Sequence, residues 1–113
     1  GDAERGVFTN PVSDGRRVYV HARETLYVLS LSSGAEAYGP FSDAVAAPLV
    51  KDGRIYYGSL SGELLVRNSS NGSVEARLDM PSLPGTRPVE IGERLAIGTK
   101  EGEIIYVHPA GIR

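Results

Sequence analysis

The chain has 113 residues, 41% of them hydrophobic and 23% charged, with a formal net charge of −2. That is enough for one ordinary folded domain and too apolar for a disordered segment. The charge, with a pI near 5.7, gives no electrostatic reason to bind nucleic acid or an anionic membrane, and no apolar run approaches the roughly 20 residues of a membrane span.

The chain contains no cysteine, so disulfides, thiolate zinc sites, iron–sulfur sites and cysteine nucleophiles are excluded. In chain order, short β-prone segments alternate with turn residues. Phe8–Val12 predicts a first strand, Asp14-Gly15 a turn, and Val18–Ala22 with Thr25–Leu31 a hairpin; after Ser33-Gly34, Glu36–Tyr38 predicts a fourth strand. The order then restarts with Ala47–Val50, Asp52-Gly53, Ile55–Ser59, Glu63–Asn68, Asn71-Gly72 and Val74–Leu78. It restarts once more with Pro88–Ile91, Leu95–Thr99 and Glu103–His108. Gly62 and Gly102 suit the positive φ of tight hairpins, whereas Ala22-Arg23-Glu24 lacks that glycine, so its turn must differ. Helix is opposed by frequent glycine and proline and by the lack of any 3.6-residue period.

The restarts amount to a self-match. Val18 to Ile55 is 37 residues and Ile55 to Leu95 is 40, and Gly58 to Leu65 matches Gly98 to Ile105 without a gap as Gly-(Ser/Thr)-x-x-Gly-Glu-(Leu/Ile)-(Leu/Ile). Four short strands per 40 residues is the layout of a β-propeller blade. A β-sandwich of short strands would also place turns every ten residues, but without a 40-residue self-match, and other solenoids or prisms are a further alternative. The expected fold is therefore all-β: four-stranded antiparallel meanders forming an incomplete β-propeller of about three blades, one segment over 1–113 with repeats near 7–40, 46–79 and 86–113.

The pattern Asp-Gly-x-Ile-Tyr-x-Gly-(Ser/Thr)-x-x-Gly, continued by a later (Asn/Thr)-Gly turn, resembles the repeat of pyrroloquinoline-quinone-like (PQQ-like) propellers. It is clearest over Asp52–Gly72, present over Asp14–Gly34 and recognisable over Gly92–His108. A WD-repeat reading is weaker, as Gly-His openings and Trp-Asp endings are missing. Blades of the PQQ-like family usually end in a Trp that packs into the next blade. Here Tyr38 stands in that place in the first copy and Ala76 or Arg77 in the second, so docking between blades should be uneven. The resemblance implies a non-catalytic module that binds protein or peptide, scaffolds other domains or acts as a sensor, and it favours an extracytoplasmic location. The alternative is a fragment of a quinoprotein dehydrogenase or other propeller enzyme whose catalytic residues lie outside this chain. The enzymes' cysteine pair and stacking Trp have no counterpart, since both residue types are absent. Fold alone does not choose between these functions.

Closed propellers typically have four to eight blades. An uncovered blade face of roughly 300 Å² forgoes on the order of 7 kcal/mol at about 25 cal/mol per Å², comparable with the net stability of a domain. The expectation is self-association, for instance two chains closing a six-bladed ring, or the remainder of a longer propeller. Arg5–Phe8 could supply an outer strand to the third blade. The chain begins at Gly1 and its one methionine is Met80, which leaves open a removed targeting segment.

Chemistry-bearing residues read as structural. His21 and His108 have no partners spaced for a metal. Glu63 and Glu103 hold equivalent places in two copies and so should point the same way rather than converge, while Asp14 and Asp52 precede turn glycines and should bond the turn backbone. Gly58-Ser59-Leu60-Ser61-Gly62 fails as a nucleophile elbow, because Leu60 is central and the setting is a hairpin. Asn68-Ser69-Ser70 and Asn71-Gly72-Ser73 match the glycosylation sequon but coincide with turns where Asn is expected anyway. Arg16, Arg17 and Arg23 cluster at one end of the first copy and Arg87 and Arg94 near the third, interleaved with Glu24, Asp52, Glu93 and Glu101 as a mixed solvated surface. No residue is put forward as catalytic, cofactor-binding or metal-ligating, and no cofactor is expected.

Overall fold

A computed structural model describes residues 11–112. It holds three antiparallel sheets. The first joins β1 (Val12–Ser13), β2 (Arg17–Ala22), β3 (Thr25–Ser30) and β4 (Glu36–Phe41) in that order; the second joins β5 (Leu49–Lys51), β6 (Arg54–Gly58), β7 (Glu63–Asn68) and β8 (Val74–Asp79). The third holds β9 (Val89–Ile91), β10 (Arg94–Gly98) and β11 (Ile104–Val107), followed by a 3-10 turn at Pro109–Gly111. The strands β6 and β10 thus occupy matching places in separate sheets. Each sheet is a blade, and the chain is an incomplete propeller. Among the described residues no helix is long and apolar enough to cross a membrane.

Alternation along the strands packs the blades together. In β6, Ile55 and Tyr57 enter the seam with the first blade, whereas Tyr56 between them enters the seam with the third. In β7, Leu65 faces the first blade while Leu64 and Val66 face the third. The middle blade is therefore buried on both faces, which is why β6 and β7 read as nearly unbroken apolar runs.

The turns follow local chemistry. Asp52 and Gly53 connect β5 to β6 with φ of 51° and 75°, the two-residue geometry for which Asp-Gly is suited. The expected turn bond from Asp52 is replaced by this left-handed backbone. Ser59 and Thr99 receive the backbone N–H of Glu63 and Glu103 on their hydroxyls, at 3.2 and 3.1 Å, and lie buried at the heads of matching hairpins. That bond gives the Gly-(Ser/Thr)-x-x-Gly-Glu match its physical content. In the first blade Arg23 and Glu24 alone link β2 to β3, with Arg23 at φ 58°.

Some boundaries shift from the sequence reading. The first strand is Val12–Ser13 within the described residues; Phe8 and the Arg5–Phe8 segment lie outside them. The strand expected at Ala47–Val50 is Leu49–Lys51, since Pro48 has no N–H to contribute to a ladder. Conversely β4 runs on to Phe41, with register shifts on both sides of Val28.

Candidate functional site

The two seams between blades, and the outer face of the third blade, are where side chains from distant parts of the chain meet. The first seam buries Tyr19, Leu26, Val28, Ala44, Ile55, Tyr57 and Leu65. A polar brace crosses it. Arg67 stacks over the Phe41 ring at 3.7 Å and donates to the Tyr57 hydroxyl at 2.8 Å and the Gly72 carbonyl at 2.7 Å. The Tyr57 hydroxyl in turn donates to Asp43 at 3.0 Å. Burial pushes the Tyr57 phenol up to about 12, against the opposing pull of Arg67. Tyr38 completes the seam: its hydroxyl donates to the Ser69 carbonyl at 2.7 Å, and its ring lies so close to Gly72 that a Cβ there would come within 2.6 Å of Cδ1.

The second seam is almost wholly apolar, built from Leu49, Tyr56, Leu64, Val66, Leu95, Ile97, Val107 and Ile112. Ile112 reaches it from the 3-10 turn, whose entry is capped by His108 accepting the Ala110 N–H on Nδ1 at 3.2 Å. Outside the apolar centre, Lys51 pairs with Glu90 and Arg87 donates to the Pro48 carbonyl at 3.0 Å. A cavity of about 300 Å3 opens between β8 and the 3-10 turn, over Tyr56, Val66 and Ala76. At its mouth Arg54 pairs with Glu75 at 3.2 Å. Hydrogen bonds from Asn68 and then Arg54 hold the Glu75 carboxyl below its ordinary value.

The third blade's outer face is unlike either seam. Strand register places Val89, Ala96 and Tyr106 side by side, with Ile91 and Ile104 on the same face. Val89, Ile91, Ile104 and Tyr106 are 46, 52, 60 and 54% exposed. Their counterparts in the middle blade are Leu49 for Val89, Leu64 for Ile104 and Val66 for Tyr106, all buried at 8% or less.

Residues singled out from the sequence fall mostly into structural roles. His21 is buried and its Nε2–H donates to the Ala44 carbonyl at 2.9 Å. Asp14 accepts the N–H groups of Arg16 and Arg17 at 2.9 and 2.8 Å and the Tyr19 hydroxyl at 2.8 Å. Burial raises the Asp14 carboxyl, but those three donors outweigh it and leave it below its ordinary value. Burial, then the bond to Asp14, pushes the Tyr19 phenol strongly up. Asn68 and Asn71 each accept a backbone N–H two residues on, from Ser70 at 2.7 Å and Ser73 at 2.9 Å, as turn residues do.

Glu63 opens β7 and Glu103 stands just before β11 of another blade, each accepting a hydrogen bond from a serine hydroxyl. The arginine grouping needs correction. Arg16 and Arg17 stand at one end of β2 and Arg23 at the other, because a six-residue strand separates them by roughly 17 Å. Two features escaped the sequence reading, the Arg67 brace and the cavity beside Ala76. An arginine in the apolar run of β7 and the small residue at the place of Tyr38 were the available signals.

No family model and no curated protein matches the sequence. Solved structures do. The chain is similar to BamB from Moraxella catarrhalis, a β-propeller, with a TM-score of 0.74 and 17% identity over 91% of this chain and 34% of that one. It is also similar to the computationally designed Ika8 protein (TM-score 0.70, 17% identity, 89% of this chain and 33% of that one). A third is the computationally designed Ika4 protein (TM-score 0.71, 16% identity, 89% and 65%). The chain thus spans about a third of BamB and Ika8 and 65% of Ika4. At these identities the likeness is one of fold, and it agrees with the stacked sheets: the chain is a set of propeller blades whose ring is not closed.

Proposed function

We infer that the chain is a non-catalytic PQQ-like propeller module whose open sheet faces receive further blades, and which serves as a protein-binding, scaffold or sensor element. The observation that carries this is the contrast across equivalent positions. Leu64 and Val66 are 0 and 3% exposed, whereas Ile104 and Tyr106 at the same places in the third blade are 60 and 54% exposed. A contiguous apolar face of this kind on a soluble protein marks an interaction surface. The face has the strand spacing and side-chain alternation of those that accept a blade within the chain, so its fitting partner is another blade. That blade comes from a second copy or from further chain. The first blade offers the matching opposite face, with Val18, Val20, Tyr27 and Leu29 partly buried. Two such seams in a two-chain ring would bury roughly 1,200 Å² in total, at the lower bound for a stable interface.

Light scattering tests the reading. A mass of two chains that falls to one on Tyr106→Glu, with the circular dichroism of the sheets retained, supports it. A parent monomer at micromolar concentration, stable and indifferent to that substitution, removes it.

A further inference from the structure

The two seams are built from equivalent positions, and one position differs in a way that leaves space. Tyr38 pairs with Val28 in β4–β3, and Ala76 pairs with Val66 in β8–β7. Tyr19 and Tyr56 hold matching places on the neighbouring strands. In the first seam the Tyr38 ring crosses to the turn after β7, where it meets the Ser69 carbonyl and Gly72. In the second seam the turn after β11 carries Pro109 and Ile112 at those two places, and opposite them stands only Ala76. The cavity of about 300 Å3 therefore opens at the place that a docked ring occupies one blade earlier. A cavity of about 150 Å3 lined by apolar side chains is already enough to bind benzene, so one substituted ring fits.

We propose that this cavity is a recognition site for the aromatic side chain of a partner peptide, with tyrosine as the matching residue. Tyr56, Val66 and Ile112 supply the apolar wall, each 9% exposed or less. Arg54 and Glu75 supply a polar mouth for a hydroxyl or peptide group. Among the described residues β8 pairs with β7 alone. Its free edge lies beside the cavity and offers backbone hydrogen bonds to an extended chain that carries the ring, the strand-addition mode of peptide capture. The site deepens the reading of the chain as a protein-binding module by naming a ligand. It lies in the second seam rather than on the open face, so its test reads a signal independent of solution mass.

The test is a chemical-shift titration of the whole chain with three probes: 4-methylphenol, cyclohexylmethanol as a non-planar control, and the blocked pentapeptide Thr-Val-Tyr-Val-Thr. The phenol should saturate at about 1 mM, shifting resonances of Ala76, Val66 and Ile112, and the pentapeptide should bind at least about tenfold tighter through its added backbone bonds. Ala76→Tyr should fill the cavity from within, weaken both probes more than about tenfold and raise the Tm by about 3–6 °C. Ala76→Leu, a smaller filling, serves if the tyrosine variant fails to fold. Equal binding of cyclohexylmethanol overturns the aromatic assignment, and equal affinity of peptide and free phenol overturns the peptide. Unchanged binding in both variants, or no shift in the parent, overturns the site.

Discussion

The two seams solve the same packing problem with different residues at the same places. At the end of β2, His21 fits because the facing loop residue is Ala44, whose carbonyl accepts its ring N–H. One blade on, Gly58 takes that place, and a Cβ there would come within 2.5 Å of Pro84. Ala44 and Pro84 are themselves equivalent, forming isolated bridges to Ser59 and Thr99. Large faces small in one seam and small faces large in the next. The lesson is that the repeat conserves the geometry of the seam and not the identity of any one residue within it. Interiors are packed too tightly for one partner to change alone.

Three experiments break or sharpen this comparison. The largest effect should come from Arg67→Met, which removes two hydrogen bonds and a ring contact from the first seam at a cost of about 3 kcal/mol. Arg54→Met, at the exposed mouth of the second seam, should cost less than about 1 kcal/mol. Equal losses on urea unfolding would mean that the brace is not what distinguishes the seams.

Gly58→Ala should follow, costing about 1–3 kcal/mol by overpacking, and Pro84→Ala in the same chain should restore at least half of it. A double-mutant cycle with no coupling would show that the pair does not compensate.

The smallest effect is at Asp14, beside the first seam, where Asp14→Ala should cost about 1 kcal/mol at pH 7. The folded-state pKa of Asp14 is depressed, so its stabilisation is present above the ordinary value of 3.8 and is lost as pH falls through the lower folded value. Parent and variant stabilities should therefore converge below pH 3.8. A gap that persists undiminished at pH 2 would locate the effect in something other than the carboxylate.

The fold class was readable because it rests on short-range rules repeated several times. Period-2 alternation in Ile55–Tyr57, the Asp52-Gly53 turn and the Ser59/Thr99 hairpin heads each state the same blade locally. Far less of the candidate site was readable. Tyr38 could be marked as a seam residue and Ala76 or Arg77 as its counterpart, but nothing along the chain links Ala76 to Ile112, 36 positions away. The contact of Arg67 with Phe41 likewise joins two strands of different blades, whose relation exists only after the blades stack.

By itself, then, the order of amino acids determined the strands, their hairpins and the repetition of one sheet-building unit, since these depend on backbone preferences and neighbours a few residues apart. The tertiary structure alone decided which faces are covered, where a cavity opens and which charge crosses a seam. Those properties belong to pairs of sheet surfaces, and a surface has no partner until the chain has brought distant segments together.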